Sequence, residues 1–278
     1  MSALSKARLG KWFWFVLTLA FAVIIFFPYY WMFVSSVEQG SIYSWPPNLL
    51  PQEFSFDAYR FIFAERDLFT WLKNTFLVAG SVSVFCTVIS INAAYALSRF
   101  NTRSTRLFTV AILFSQMLPA ALIVVPLFVV FRQLGMYDSL LGLAIADTAF
   151  ILPVSTWLLK GFFDQIPVEI EQQAMIDGCS RLSAFYRVTL PLALPGLVVV
   201  VAMSFIAGWD EFFLARSLIA SQDNWVLSVG LTSFKGEFTI AWNQLMAAAV
   251  VFALPALVFF LIVQRYLVAG LSAGAVKG

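Results

Sequence analysis

The sequence predicts an all-α polytopic membrane protein with six transmembrane helices, on three observations. The 278 residues are 61% hydrophobic and only 12% charged, whereas soluble domains run near half apolar and about a quarter charged. Mean hydropathy is +0.88, which assigns the chain to the membrane class and excludes intrinsic disorder, whose signature is low hydrophobicity. Six stretches are also apolar over the length a bilayer demands. A helix rises about 1.5 Å per residue, so roughly 20 apolar residues cross a hydrocarbon core of about 30 Å. The six fall near 12–34, 71–98, 107–131, 139–160, 191–215 and 242–264. A closed barrel is the other way to span lipid, but it needs short alternating strands. Runs such as Leu194 to Phe205 show no such alternation.

The first stretch is too long and too aromatic for a signal peptide, and it ends in Pro28-Tyr29-Tyr30-Trp31 with no small-residue cleavage site. It reads as a retained helix whose aromatic end suits a membrane interface. The loop 37–70 carries Pro46, Pro47 and Pro51, which fix an extended path. Its second half, Phe56 to Phe69, alternates apolar and charged positions and suits a short interfacial helix.

Orientation follows from the bias of Lys and Arg toward the inside. With the N-terminus cytoplasmic, the inner segments hold eleven of the 17 basic residues and the outer segments six. Glu38, Glu53, Asp57, Glu65 and Asp67 then cluster in the first outer loop. Both termini are expected to be cytoplasmic.

Several functions are excluded by composition. A net charge of +2 with no basic block gives no case for nucleic acid. Histidine is absent and there are two cysteines, which removes His-based catalysis and cysteine-rich metal clusters. Cys86 lies in an apolar run and Cys179 in a polar loop, so they are not expected to pair. No catalytic residues and no metal ligands are expected, and the chain is read as a non-enzyme.

Ionisable and amide groups within spanning segments are costly and usually face a cavity or a partner. Asn92, Ser115, Gln116, Asp147 and Asp210 lie in such segments, with Glu211 and Trp209 beside Asp210. One reading is a translocation path, in which Asn92, Gln116, Asp147 and Asp210 bond substrate hydroxyls and Trp209 supplies a ring face. The other is hydrogen bonding between helices, which suits Asn92 and Ser115 better. Tyr95 is read as a lipid-facing or packing residue. Pro119, Pro126, Pro153 and Pro255 fall inside spans, where each removes a backbone donor and can kink a helix, as a fixed bend that shapes the bundle or as a hinge.

The segment 161–190 carries the most information. Pro167 suits the first residue of a helix. Val168 to Ile176 follows, with Glu169 and Glu171 in its opening turns on the favourable side of the dipole. Asp177-Gly178 stops it, because Gly accepts the left-handed conformation that ends helices. A second short helix is expected from Leu182 to Thr189, with Phe185 and Val188 on one face and Leu190-Pro191 as its end. Two short helices with an enforced break make a protruding knob. It suits docking into a groove on another protein, or rests on lipid.

The run Glu169-Ile-Glu-Gln-Gln-Ala-Met-Ile-Asp-Gly178, then Phe185, then Leu190-Pro-Leu-Ala-Leu-Pro-Gly196, resembles the EAA coupling loop of ABC importer permeases. Asn92 to Arg99, Pro126 to Phe128, Leu134 to Asp138, Phe162-Phe163, Ile166-Pro167 and Phe205 to Phe212 are similar to other parts of that family. The tail 269–278 resembles those of carbohydrate permeases of the maltose/trehalose/glycerol-phosphate group. The match runs over nearly the whole chain, read as one transmembrane permease domain, 1–278.

The resemblance implies a permease subunit of an ATP-driven importer for a carbohydrate or a derivative. It implies a second related permease, two ATP-binding subunits that hold ATP and Mg, an extracytoplasmic substrate-binding protein, and surrounding lipid in a bacterial inner membrane. Glu171, Gln172, Gln173, Ala174, Asp177, Gly178, Phe185, Leu190 and Pro191 would then couple to the ATPase, and Gly270, Ser272, Gly274 and Lys277 of the tail would contact it. One departure stands out. Where the family has Glu-Ala-Ala, this chain has Gln172-Gln173-Ala174, so the motif's carboxylate is missing. Either the ATPase residue opposite differs, or Glu171 substitutes. Two other classes remain: an ion-coupled secondary transporter using Asp147 and Asp210, though internal repeats are not evident, and a non-transport membrane assembly protein.

Overall fold

The computed structural model describes residues 3–38, 49–100, 102–236 and 240–275, with side chains from residue 11 to residue 264 within those ranges. The described residues are helical apart from turns and two isolated bridges, Glu38 with Phe54 and Lys235 with Ile240. They cluster into two compact units. One is drawn from Met1–Leu68 and Leu231–Ala253, the other from Phe69–Gly230 and Leu254–Gly278.

In the first unit, α1 (Ala3–Val37) is the amino-terminal span. The most apolar window of its Lys11–Val37 part is 0% buried, as befits side chains facing lipid. Its C-terminal end is pinned instead. Ser55 N donates to Val37 O at 2.8 Å, and Ser36 Oγ shares a 2.8 Å hydrogen bond with the Tyr59 hydroxyl. Tyr59 lies on α2 (Asp57–Ala64), a short amphipathic helix that buries Ala58 and Ile62. It occupies the half of the loop where alternation suggested an interfacial helix.

The second unit is built on α3 (Leu68–Arg99) and α6 (Leu140–Gln165), both long and apolar enough to span a membrane. Between them the expected third span is not one straight helix. It is α4 (Arg103–Ser115) followed by α5 (Ala120–Gln133), bent by 102°. Pro119, at ψ 127, sits at the break as the residue before α5, and its ring and missing N–H cannot continue the α4 ladder. The fifth span departs likewise. A helical segment Arg181–Leu192 meets α10 (Leu194–Trp209) at 73°, and α10 stops at Trp209, short of residue 215. The last span belongs to α11 (Trp242–Ala275). Among the described residues there are therefore four candidate spans, or up to six with each bent pair counted as one.

Two apolar cores hold this unit together. One gathers Val78, Val82 and Cys86 of α3 with Leu143, Ala144 and Ala146 of α6 and with Leu214, Ala215, Leu218 and Ile219. The other, nearer the opposite end, gathers Ala94, Leu159, Phe163, Phe185, Ala193 and Val200. Gly196 lets α10 approach α6 closely, since a Cβ there would lie 2.4 Å from the Phe162 ring. On the first core's side, Asp138 (φ 55) forms a clasp. Its carboxylate accepts from Ala220 N at 2.9 Å and from Ser221 N and Oγ, both at 3.0 Å. Asn74 of α3 donates to the carbonyls of Asp223 and Trp225 at 2.8 and 2.9 Å. Burial of Asp138 alone pushes its carboxyl up, but these N–H and O–H donors hold it below the usual carboxylate range.

Candidate functional site

The knob is built on the second core. Helix α7 (Val168–Ile176) starts directly after Pro167, where a missing N–H costs nothing because the first turn has no acceptor for it. Its end is a Schellman motif. Gly178, at φ 96, donates its N–H to Met175 O at 3.1 Å, and Cys179 donates to Ala174 O at 3.0 Å. The chain reverses there and Ser180 caps α8 (Arg181–Ala184), accepting from Ser183 N at 3.2 Å.

The second helix of the knob is not closed by Leu190-Pro191. Phe185–Thr189 is a π turn, and Leu190 N donates to Phe185 O. Helical chain then runs on through α9 (Leu190–Leu192) to the bend at Ala193. Pro191 has no N–H to give, and its ring needs room against the preceding turn; the wider turn supplies that room. Single π turns of this kind recur at functional sites.

Glu171 binds the knob to the membrane helices. It is 3% exposed. It accepts from the Tyr95 hydroxyl, from Arg99 Nε at 3.1 Å and from Thr189 Oγ1 at 3.3 Å. Tyr95 and Arg99 stand four residues apart near the end of α3, on one helix face. The Arg99 side chain is 6% exposed. Its remaining nitrogens donate to Phe163 O and Ile166 O, each at 3.1 Å, carbonyls at the end of α6, of which Phe163 O also accepts from Ile166 N. Tyr95 packs on Phe185 with ring centroids 4.1 Å apart, and Arg181 lies over the Phe100 ring at 5.2 Å. Four segments thus meet at one buried ion pair.

Burial corrects one expectation. Glu171 faces inward and its oxygens are taken, so it is not an exposed carboxylate standing in for the one missing at Gln172. The outward face of α7 is Glu169, Gln172, Gln173 and Ile176, the last 84% exposed. Asp177 and Gly178 are exposed at its tip, and Ala174 is half-buried. Leu182 and Tyr186 extend this face past the turn. Phe185 is buried in the core beneath, Leu190 is half-buried and Pro191 exposed. Tyr95, read as a packing or lipid-facing side chain, is a hydrogen-bond donor to Glu171. Arg99 and Thr189 were not anticipated. The four-residue spacing of Tyr95 and Arg99 was the available signal.

The residues considered for a translocation path differ in exposure: three are exposed and two are buried. Asn92 is exposed and its amide donates to Val88 O of its own helix at 2.9 Å. Gln116 is exposed at the α4–α5 break, 3.4 Å from Phe150 O. Asp210 is exposed at the end of α10. Trp209 is buried, edge-on to Phe76 at 4.7 Å and stacked on Phe205 at 5.7 Å. Asp147 is 1% exposed, and neither carboxylate oxygen has a hydrogen-bond partner among the described residues. Cys86 and Cys179 are both free thiols. In the tail, Gly270, Ser272 and Gly274 lie on α11 and Lys277 falls outside the described residues.

Residues 86–273 match the family described as binding-protein-dependent transport system inner membrane component. The chain is 36% identical over 262 residues to the diacetylchitobiose uptake system permease protein DasC of Streptomyces coelicolor, covering 92% of this chain and 95% of that one. It is 36% identical over 269 residues to the trehalose transport system permease protein SugB of Mycobacterium tuberculosis, covering 96% and 97%. Its fold is that of a chain in a bacterial ABC transporter that imports the acidic polysaccharide alginate, with TM-score 0.82, 24% identity and coverage of 96% and 98%. The helices, the inward-bolted knob and these likenesses agree: the chain belongs to the family of binding-protein-dependent transport system inner membrane components, the non-enzymatic, multi-pass permease subunits of ABC importers.

Proposed function

We propose that this permease carries a carbohydrate or a carbohydrate derivative inward, that it pairs with a second related permease, and that one subunit of an ATPase pair grips its knob. The observation that carries the reading is the division of α7 into two faces. Glu171 is locked inward to Arg99, while Gln172, Gln173 and Ile176 are exposed on the outward face. An exposed face on a rigid, core-backed protrusion suits a groove on another protein. Both relatives named above are permeases for sugars or their derivatives, which supports the substrate class. ATP and Mg belong to the ATPase subunits, and a binding protein delivers substrate from outside. Both chain ends face the cytoplasm in this arrangement.

The mechanism is mechanical. Closure of the ATPase pair around ATP displaces its grooves, and each knob follows. The free energy enters as a better fit of the ATP-bound pair to one permease arrangement than to the other. The test is reconstitution with the ATPase and binding protein in liposomes. Gln172→Arg and Ile176→Arg on the exposed face should strip the ATPase from the complex and abolish ATP-driven uptake. Uptake that runs on an ion gradient without ATP refutes the reading.

A further inference from the structure

We infer that the Arg99–Glu171 ion pair is the link through which movement of the knob is handed to α3, making both of them positioning residues of the transport cycle. The inference rests on the docking reading above and adds to it which helix is driven.

The covalent connections of the knob run elsewhere. Helix α7 is joined to α6 through Ile166-Pro167 and to α10 through the π turn and the 73° bend at Ala193. Helix α3 is 72 residues away along the chain at this contact, yet it supplies two of the three donors to Glu171. Arg99 holds the end of α6 at the same time. A displacement of α7 must therefore either carry the end of α3 along or part the pair.

Burial decides between these. Both side chains lie almost wholly out of water, at 6% and 4% exposure. Parting them would strand two charges in a medium that does not solvate them. A buried ion pair is a poor source of stability against an apolar pair of equal volume, but it strongly resists being opened. That combination suits a contact that must stay closed while its surroundings move. The ring contacts of Tyr95, Phe163 and Phe185 back the same joint. By contrast, the bend at Ala193 and the π turn are places where helix geometry is already interrupted. The knob and the end of α3 accordingly move as one body, and the bend toward α10 is where the chain gives.

The experiment measures sugar transported per ATP hydrolysed by the reconstituted complex, using a radiolabelled disaccharide that the wild-type complex accumulates. A variant that merely folds less well lowers uptake and hydrolysis together and leaves this ratio unchanged. Glu171→Gln should retain the ATPase subunits while the ratio falls by about tenfold or more, with Glu171→Asp between it and wild type. A ratio within about twofold of wild type in an assembled Glu171→Gln complex overturns the inference. If Glu171→Gln fails to hold the ATPase, the double variant Arg99→Met/Glu171→Met, which strands no charge, decides in its place. Assembly with the same fall in ratio supports the link. An unchanged ratio, or loss of the ATPase here too, overturns it, since the contact would then serve assembly alone. The docking reading fails by a different result: Gln172→Arg and Ile176→Arg leaving the ATPase bound.

Discussion

Gly178 and Gly161 make a paired test of the knob's geometry, because the same substitution should move stability in opposite directions at the two sites. A Cβ added at either glycine meets nothing within 4 Å, so sterics with neighbours cancel and only the backbone differs. Gly161 lies inside α6. Ala there should stabilise by about 0.5–1 kcal/mol, the usual penalty for Gly in a helix interior. Gly178 holds φ 96 at the Schellman bend, where a Cβ costs about 1–2 kcal/mol. The loss of unfolded-chain freedom returns about 0.4–1 kcal/mol of that, leaving Gly178→Ala destabilised by roughly 0.5–1 kcal/mol. The two variants should therefore differ by about 1–2 kcal/mol, or several degrees in Tm at about 2–4 °C per kcal/mol. Gly178→Asn should fall between, because Asn visits the left-handed region more readily. Thermal unfolding of the purified permease in detergent, followed by intrinsic tryptophan fluorescence, reads all three. Gly178→Ala melting as high as Gly161→Ala would refute the bend, and with it the account of why the knob protrudes.

Three further outcomes follow from packing and charge. Gly196→Ala should destabilise by about 1–3 kcal/mol through overpacking, since its Cβ would press on the Phe162 ring at 2.4 Å; adding Phe162→Leu should recover much of the loss in the same thermal assay. Asp138→Ala should loosen the clasp on Ala220 and Ser221, visible as faster amide exchange there. The Asp138 carboxyl sits below its unfolded value, so its contribution is fully present above that value and disappears as pH falls through the folded one; protection at Ala220 and Ser221 should weaken on acidification and never on alkalinisation. Asp147→Leu should raise the melting temperature, because a buried carboxyl with no hydrogen-bond partner among the described residues costs about 1–3 kcal/mol; a rise in Tm accompanied by lost uptake would mark Asp147 as kept for transport, and a fall in Tm would refute the burial argument.

Helical class and the position of the knob were legible because both depend on local pattern. Apolar run length sets a span, and Gly178 after a short helix sets its end. The bends were not legible. Pro119 and Pro153 both lie in apolar stretches, yet Pro119 terminates the ladder before α5 while Pro153 is carried inside α6. Which happens depends on what the neighbouring helices bury: α4 has no buried residue, whereas α6 buries ten along its length. Leu190-Pro191 misled for a similar reason. Its proline is accommodated by the π turn before it, and no periodicity in the sequence announces that turn. The proposed path residues are scattered between exposed and buried positions, since composition identifies costly groups without saying which way a helix face turns.

The missing carboxylate at position 172 takes on a different sense once Glu171 is placed. Adjacent positions on a helix lie about 100° apart, which lets Glu171 face the core while Gln172 stands outward on the same turn of α7. This chain keeps its acid on the inward position, where it pairs with Arg99 at 3.1 Å, and has a neutral amide on the outward one. The exposed knob then carries Glu169 and Asp177 against Arg181 and Arg187, a balanced set with no strong field of either sign. In the proposed docking, recognition by such a surface would rest on shape and on amide hydrogen bonds, and only weakly on charge, which salt screens. On the proposed link, the acid that would serve coupling is thus the buried one, Glu171, paired with Arg99 inside the permease at the joint between the knob and α3.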